Sequence, residues 1–403
     1  MASSQSSRIS SLIRELSVIE QQSNGSVYEN ENLRTDAAHL VRKLAVVLER
    51  PHEVVLMNSS LPAQTAAVRI AVDLHLFQHL GDGPEAKDIS ELSLKTGADA
   101  ELLIRILRLL SAMGWVDQVG DASFRPTAIT RTLKESESLQ AGVKHMYLTF
   151  PVYDKLPNYF AEYDYKSPIN VQDGPFQYAH NIKETTFDYW AKDPIVTKLF
   201  NTFMTGVRGS RPHWVHWFPI QEELINGSSG KDEDMLLVDV GGGKGHDLNK
   251  FIATFPDAKG RYVLEDLPLV IDDTYDRNPR IEAVKHDFFQ EQPIHGARMY
   301  FMHHVLHDWP DDDVVRIFSQ IAKAMKPGYS RLLLGENVLQ DIDCHLYPAL
   351  LDWGMMVLHS GMTRTVGRWR ILLEKAGLKL VKYWAPPGDG DGIVEAVLEE
   401  NDA

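Results

Sequence analysis

The sequence predicts an α/β protein: a doubly wound sheet in its C-terminal part and an all-α, winged-helix part before it. Three observations predict this. The apolar period switches from helical to strand-like near residue 231. A glycine-rich turn follows the first apolar strand directly, and strands then alternate with helices to the end of the chain. At 403 residues the chain is also too long for one small domain. Four segments are expected: an arm over 1–34, a winged-helix dimerisation domain over 35–134, a helical connecting region over 135–230, and the α/β domain over 231–403.

Taken in order, the arm is polar, rich in Ser, Gln and Asn, with a weak amphipathic stretch at Ile9–Ile19. It is read as packing on a partner or staying mobile. Leu40, Leu44, Val47 and Leu48 fall at helical spacing, and Pro51 closes that segment. AAVRIAVDLHLFQHL (66–80) reads as one apolar helix stopped by Gly81. Two short helices follow at 87–98 and 100–114, and WVDQVGDASFRPT (115–127) alternates around a Gly-Asp turn as a hairpin. Three helices and a hairpin make a winged-helix pattern, read here as a packing module because acids run through it.

The stretch 135–230 is rich in aromatics, and such connecting regions are common places for ligand pockets. His145, Phe200 and Met204 are its candidates for a substrate pocket. Strands are then expected at 235–240, 260–268, 299–310, 331–339 and 392–400, with helices at 246–256, 311–326 and 365–376. Met355 and Met356 sit on a further helix, where flexible thioethers shape apolar pockets.

Composition narrows the function. Against 41 basic residues stand 56 acidic ones, a net charge of −15, with no block of five like-charged basic residues. Nucleic acid is therefore not an expected partner. No apolar run reaches the ~20 residues of a membrane span, and no secretory signal is expected at the N-terminus. The single cysteine, Cys344, rules out an intramolecular disulfide and suits a reducing, cytoplasmic setting.

LVDVGGGKG is the sharpest local signal. Asp239 leads into Gly241, Gly242, Gly243 and Gly245, which let the backbone turn tightly against a ligand. His246 stands where a dinucleotide fingerprint needs its third glycine, and Gly245 stands where a P-loop needs Ser or Thr. What remains is a turn for a nucleoside without a pyrophosphate. Asp266 closes the next strand 21 residues after Gly245, the place for a carboxylate on ribose hydroxyls. His303, His304 and His307 cluster in sequence, but neighbours 303 and 304 on a strand point to opposite faces, so no metal site is expected.

VDVGGGKG, LEDLP, HDFF, HHVLHDWPDDD and LLLGENV occur in one order. In this the chain resembles, from about Thr35 to Glu400, the S-adenosylmethionine-dependent O-methyltransferases of the plant and fungal small-molecule type. The resemblance implies a Rossmann-like catalytic domain, an intertwined homodimer and a small-molecule substrate. It puts Gly241 and Gly243 at the methionyl part of the cofactor, Asp266 at the ribose, and Asp287 with Phe288 beside the adenine, with Asp239 and Leu267 as further cofactor-binding residues. His303 stands where the family often has a cofactor-contacting lysine. His307 matches the general base, Asp308 its paired aspartate and Glu336 one of its two orienting acids. Thr363 replaces the second acid. Fungal relatives on this fold that bind S-adenosylmethionine yet catalyse dehydrations or Diels–Alder-type cyclisations are the alternative, and Thr363 and His145 point that way.

Overall fold

The structure, a computed structural model, describes residues 2–206, 211–272 and 278–399. The chain forms two compact units, each assembled from separated stretches of sequence. One comprises Ser17–His39, Leu156–Thr186 and Ser210–Ala403, and the other Met1–Leu16, Leu40–Lys155 and Phe187–Gly209.

The first of these holds a seven-stranded sheet: β1 (Met235–Val240), β2 (Arg261–Asp266), β3 (Ile281–Lys285), β4 (Met299–His303), β5 (Arg331–Glu336), β6 (Leu378–Trp384) and β7 (Gly392–Leu398). Their spatial order is β6-β7-β5-β4-β1-β2-β3. β1 to β5 pair in parallel, as the alternation of strand and helix requires. β7 runs antiparallel to both β5 and β6. β3 and β6 escape a reading of sequence because they lie at the two edges. Their solvent faces carry Glu282, Lys285, Lys379 and Lys382, the charges that keep edges from pairing, so neither shows an unbroken apolar run.

Helices α1 (His246–Thr254), α2 (Asp311–Ala324), α3 (Leu346–His359) and α4 (Val366–Lys375) complete the sheet's surroundings. α2 buries Val314, Ile317, Phe318, Ile321 and Ala324, the stripe of one helix face, and its first turn carries Asp311, Asp312 and Asp313 against the positive end of the helix. Those residues pack with Val238, Val240, Tyr300, Leu332 and Trp369 on one face of the sheet. The other face is covered by Leu248, Phe251, Trp214 and Phe218. Every residue of β1 is buried, including Asp239.

In the second unit, helices Leu61–Asp73, Leu76–Leu80, Ile89–Thr96 and Ala100–Ala112 surround Leu103, Ile106, Leu107 and Leu110. Asp88 and Asp99 cap the last two by accepting from the amides of Ser90 and Leu102. The hairpin is Val116–Gln118 against Ser123–Pro126, with Lys87–Asp88 as a third strand. The single helix expected over 66–80 is broken at His75, which sits at φ 50°. The arm is not loose in the described part: Ala2–Gln22 is an α-helix and Leu12 and Ile19 are buried. No described helix is long and apolar enough to cross a membrane.

Phe318 is fully buried and faces Trp369 at 6.3 Å between rings. Phe318→Ala is expected to cost about 3–5 kcal/mol through lost burial and the cavity left behind. Urea unfolding followed by tryptophan fluorescence checks this; a loss below about 1 kcal/mol would show that the site collapses freely.

Candidate active site

The glycine turn takes the conformation that only glycine adopts cheaply, with Gly241, Gly243 and Gly245 at φ 73°, 59° and 74°. Gly242 is required for another reason: a Cβ there would stand 2.4 Å from the Asp239 carboxyl carbon. The turn is tied to the end of β2. The amides of Gly241 and Gly242 donate to the Glu265 carbonyl at 2.8 and 3.1 Å. The Gly243 amide donates to Asp266 Oδ2 at 2.8 Å, and the Leu267 amide to Oδ1 at 2.7 Å. Asp266 thus holds the turn and retains further lone pairs for a ligand.

Asp239 is 1% exposed, and neither carboxylate oxygen has a hydrogen-bond partner. Burial, then the charge of Asp247, push its carboxyl well above the ordinary range. A buried carboxyl without donors, beside a cradle of glycines, fits a ligand that carries an ammonium or N–H groups. Phe288 lies beside the turn, 3.7 Å from where a Gly241 Cβ would sit, and stacks edge-on to Trp309. Asp287 Oδ1 accepts from the Phe289 amide at 3.0 Å, and Leu267 is half exposed.

The second cluster lies at the carboxyl ends of β4 and β5, where doubly wound sheets expose their sites. β4 ends at His303, and a 3-10 turn, Leu306–Asp308, carries His307. His307 is buried, with Nδ1 2.9 Å from Glu336 Oε2. The approach is an ion-pair contact whose angles fall short of a hydrogen bond. The other oxygen of Glu336 accepts from the Leu306 amide at 3.0 Å, so the acid is anchored to the turn it serves. Nε2 lies 3.7 Å from Asp308 Oδ1. Burial opposes the imidazolium, but Glu336 and then Asp308 outweigh it and raise the His307 pKa to about 9. Asp308 is itself 3.9 Å from His359 Nε2.

Thr363 is buried, its amide donating to Asp352 Oδ1 at 2.9 Å and its hydroxyl without a hydrogen-bond partner. The segment before it is pressed onto the histidine turn. The Met362 amide donates to the His307 carbonyl at 2.9 Å, and a Cβ on Gly361 would stand 2.1 Å from that oxygen. Met355 and Met356 are half-buried on α3.

Arg364 holds this corner together. Its guanidinium is wholly buried and donates to four oxygens: Asp311 Oδ1 at 2.8 Å, the Leu306 and Met362 carbonyls at 2.9 Å each, and the Trp309 carbonyl at 2.6 Å. Sequence reading missed Arg364, His359, Asp247 and Asp391, none of which carries a short-range motif of its own. It also misplaced one histidine. His304 leaves the strand at φ 53°, so its ring converges with that of His303, centroids 4.3 Å apart, instead of pointing away. His303 Nδ1 is 2.8 Å from Asp247 and Nε2 is 3.5 Å from Asp391. Burial opposes its charge, but Asp247 outweighs that and raises the pKa to about 10.

His145, Phe200 and Met204 belong to the helical unit. His145 is buried against Trp190 and Phe200, with ring centroids 4.6 and 5.4 Å away. Burial lowers its pKa to about 4, so the ring is neutral at physiological pH. Met204 is partly exposed.

Similarity to known proteins agrees with this chemistry. A family model described as an O-methyltransferase domain matches residues 164–379. O-methyltransferase asqD of Emericella nidulans is 41% identical over 338 residues, covering 83% of this chain and 87% of its own length. Among solved structures, LepI in complex with SAM matches at TM-score 0.86 and 28% identity, over 97% of this chain and 99% of that one. One described as a pericyclic reaction enzyme matches at TM-score 0.86 and 29% identity, over 97% and 100%. OxaC in complex with SAH and oxaline matches at TM-score 0.81 and 26% identity, over 98% and 100%.

Removing the Arg364 guanidinium takes the donor from the Met362 and Trp309 carbonyls, and leaves Asp311 with Arg368 alone and the Leu306 carbonyl with the Trp309 amide alone. Arg364→Met is expected to destabilise the protein by about 2–6 kcal/mol, at ~1–3 kcal/mol for each of two buried carbonyls left unpaired. Arg364→Lys should recover only part of this, because one ammonium cannot reach all four oxygens. Denaturation midpoints of the two variants check the order; equal midpoints would contradict the clamp.

Proposed function

The chain belongs to the O-methyltransferase family and uses S-adenosylmethionine, and from that premise we propose that it methylates a hydroxyl of a small aromatic or polyketide-type natural product, with His307 as general base. The observation that carries the proposal is the buried His307–Glu336 pair at the carboxyl ends of adjacent strands. S-adenosylmethionine, when bound, supplies a methyl group already activated on a sulfonium. What the chain must add is position, a proton acceptor and a site that tolerates positive charge.

Each of these has candidate residues. Asp239 and the Gly241–Gly243 turn suit the amino-acid end of the cofactor, and Asp266 with Leu267 the ribose. Asp287 and Phe288 suit the adenine. His303, kept cationic between Asp247 and Asp391, stands in for the family's lysine. His307 takes the hydroxyl proton, and Glu336 stabilises the imidazolium that forms. A phenol has a pKa near ~10. A histidine raised to about 9 is well matched to that proton, at the cost of being mostly protonated at neutral pH.

A second reading, cyclisation without methyl transfer, is favoured by two observations. Thr363 brings no charge to His307, and the fold matches that of a pericyclic reaction enzyme. Product mass separates the two. A product heavier by one methyl group, with S-adenosylhomocysteine formed, supports methylation; an isomer or dehydrated product supports cyclisation. We also propose a homodimer in which the winged-helix segment takes part. Helix Pro51–Ser59 leaves Val55, Leu56 and Met57 exposed by 57–65%, apolar surface around much of the helix that suits a partner.

Asp266→Ala should weaken S-adenosylmethionine binding by about 1.5–3 kcal/mol, roughly 10- to 100-fold, as calorimetry would read it. Unaltered affinity contradicts the ribose assignment.

His307→Gln keeps much of the shape and cannot accept a proton, so turnover should fall ~10²-fold or more with cofactor affinity nearly constant. The groups facing His307 are Glu336, Asp308, Asp391 and His304, three carboxylates to one lowered histidine. The wild-type rate should therefore climb with pH and level off on the alkaline side of an ordinary histidine. Stability moves the other way. A folded-state pKa raised from 6.5 to about 9 stabilises fully below pH 6.5 and loses that contribution as pH rises through 9. A fully active His307→Gln, or a rate flat in pH, would reject the general base.

A further inference from the structure

We propose that His303, His304 and Asp391 form a binding site for a divalent transition-metal ion of the zinc class, separate from the His307–Glu336 pair. The backbone makes the site possible. Adjacent residues of a strand diverge, but His304 takes a left-handed conformation that a non-glycine residue adopts at a cost, and this turns both imidazoles to one point. The loop before β7 brings Asp391 to the same point, because β7 runs antiparallel and begins where β5 ends.

The donor atoms are spaced for one ion. His304 Nε2 lies 2.9 Å from Asp391 Oδ1, and His303 Nε2 lies 3.5 Å from Oδ2. One ligand atom from each residue falls within 4.8 Å of the other two. A tetrahedral zinc centre with bonds of about 2.0–2.1 Å spaces its ligands by roughly 3.3–3.5 Å, so small side-chain movements complete the fit. Two imidazoles and a carboxylate, with no thiolate, suit zinc, cobalt or nickel, whereas magnesium and calcium prefer oxygen ligands.

An orienting layer is also in place. His303 Nδ1 contacts Asp247 Oδ2 at 2.8 Å, which leaves Nε2 aimed at the site, as in a carboxylate–histidine–zinc arrangement. Asp247 is fixed in turn by the Trp214 indole N–H at 2.7 Å and by His213 at 3.2 Å. Three protein ligands leave a fourth position open. Binding the ion would displace the His303 proton, so the ion takes over the positive charge that the imidazolium carries in its absence, and it would tie the end of β4 to the loop before β7.

The test is a titration of the full-length, chelator-stripped protein with Co²⁺, followed by its visible absorption, and then displacement by Zn²⁺. One site per chain with the intense bands of tetrahedral Co²⁺ is expected. His304→Phe and Asp391→Asn should abolish the bands, Asp247→Asn should weaken binding by 10–100-fold, and His345→Gln should leave them unchanged. Circular dichroism and urea unfolding report whether each variant is folded. X-ray absorption of the zinc-loaded wild type gives a second readout, with two imidazole ligands expected. Absence of stoichiometric Co²⁺ uptake by the wild type overturns the proposal and leaves an imidazolium of His303 bridging two carboxylates. So does retention of the bands in folded His304→Phe or Asp391→Asn.

Discussion

The corner that carries His307 depends on one buried cation. Arg364 converts three backbone carbonyls and the Asp311 carboxylate into a fixed frame around the turn that carries His307. A short 3-10 turn has few hydrogen bonds of its own and would not by itself hold a side chain to a fraction of an ångström. The guanidinium does so because its donors are planar and fixed in direction. Asp311 then couples this turn to the start of α2, whose apolar face is part of the core. Packing energy is thereby transmitted to the orientation of one imidazole.

Around that frame the dominant theme is excess negative charge. Asp239, Asp247, Glu265, Asp266, Asp308, Glu336 and Asp391 all belong to the sheet-bearing unit. Several pay for burial by shifting. Burial raises the Glu265 carboxyl to about 7 against a hydrogen bond from Gln292, and it also raises the Asp239 carboxyl well above its ordinary range. Burial also opposes ionisation of Asp391, yet His304 and His303 hold it well below the usual range. Such a field suits a positively charged sulfonium and favours the protonated forms of His303 and His307, though burial lowers His304. The same field that makes His307 a strong base also limits how much of it is neutral.

Much of this was legible in the sequence, for a physical reason. The glycine turn, Asp266 and the HDW turn are local: their geometry follows from backbone conformation and spacing along a few residues. β1, β2, β4 and β5 are central strands, so their apolar runs are continuous. The edge strands β3 and β6 were not legible, since half of each faces water. Arg364, His359 and Asp391 were not legible either, because each meets its partner across 50 or more residues of chain. His304 was misread for a subtler reason. Alternation along a strand assumes that the strand continues, and here the strand expected over 299–310 ends at His303, where His304 turns left-handed.

The reversed direction of β7 also bears on how the protein can be handled. Gly392 pairs with Glu336 and Ala396 with Leu332, so the last strand starts beside the histidine cluster and runs away from it. By Leu398 the backbone is at the opposite rim of the sheet. A fluorophore or a surface tether attached at the exposed Glu399 would be carried on that far rim, away from the histidine cluster.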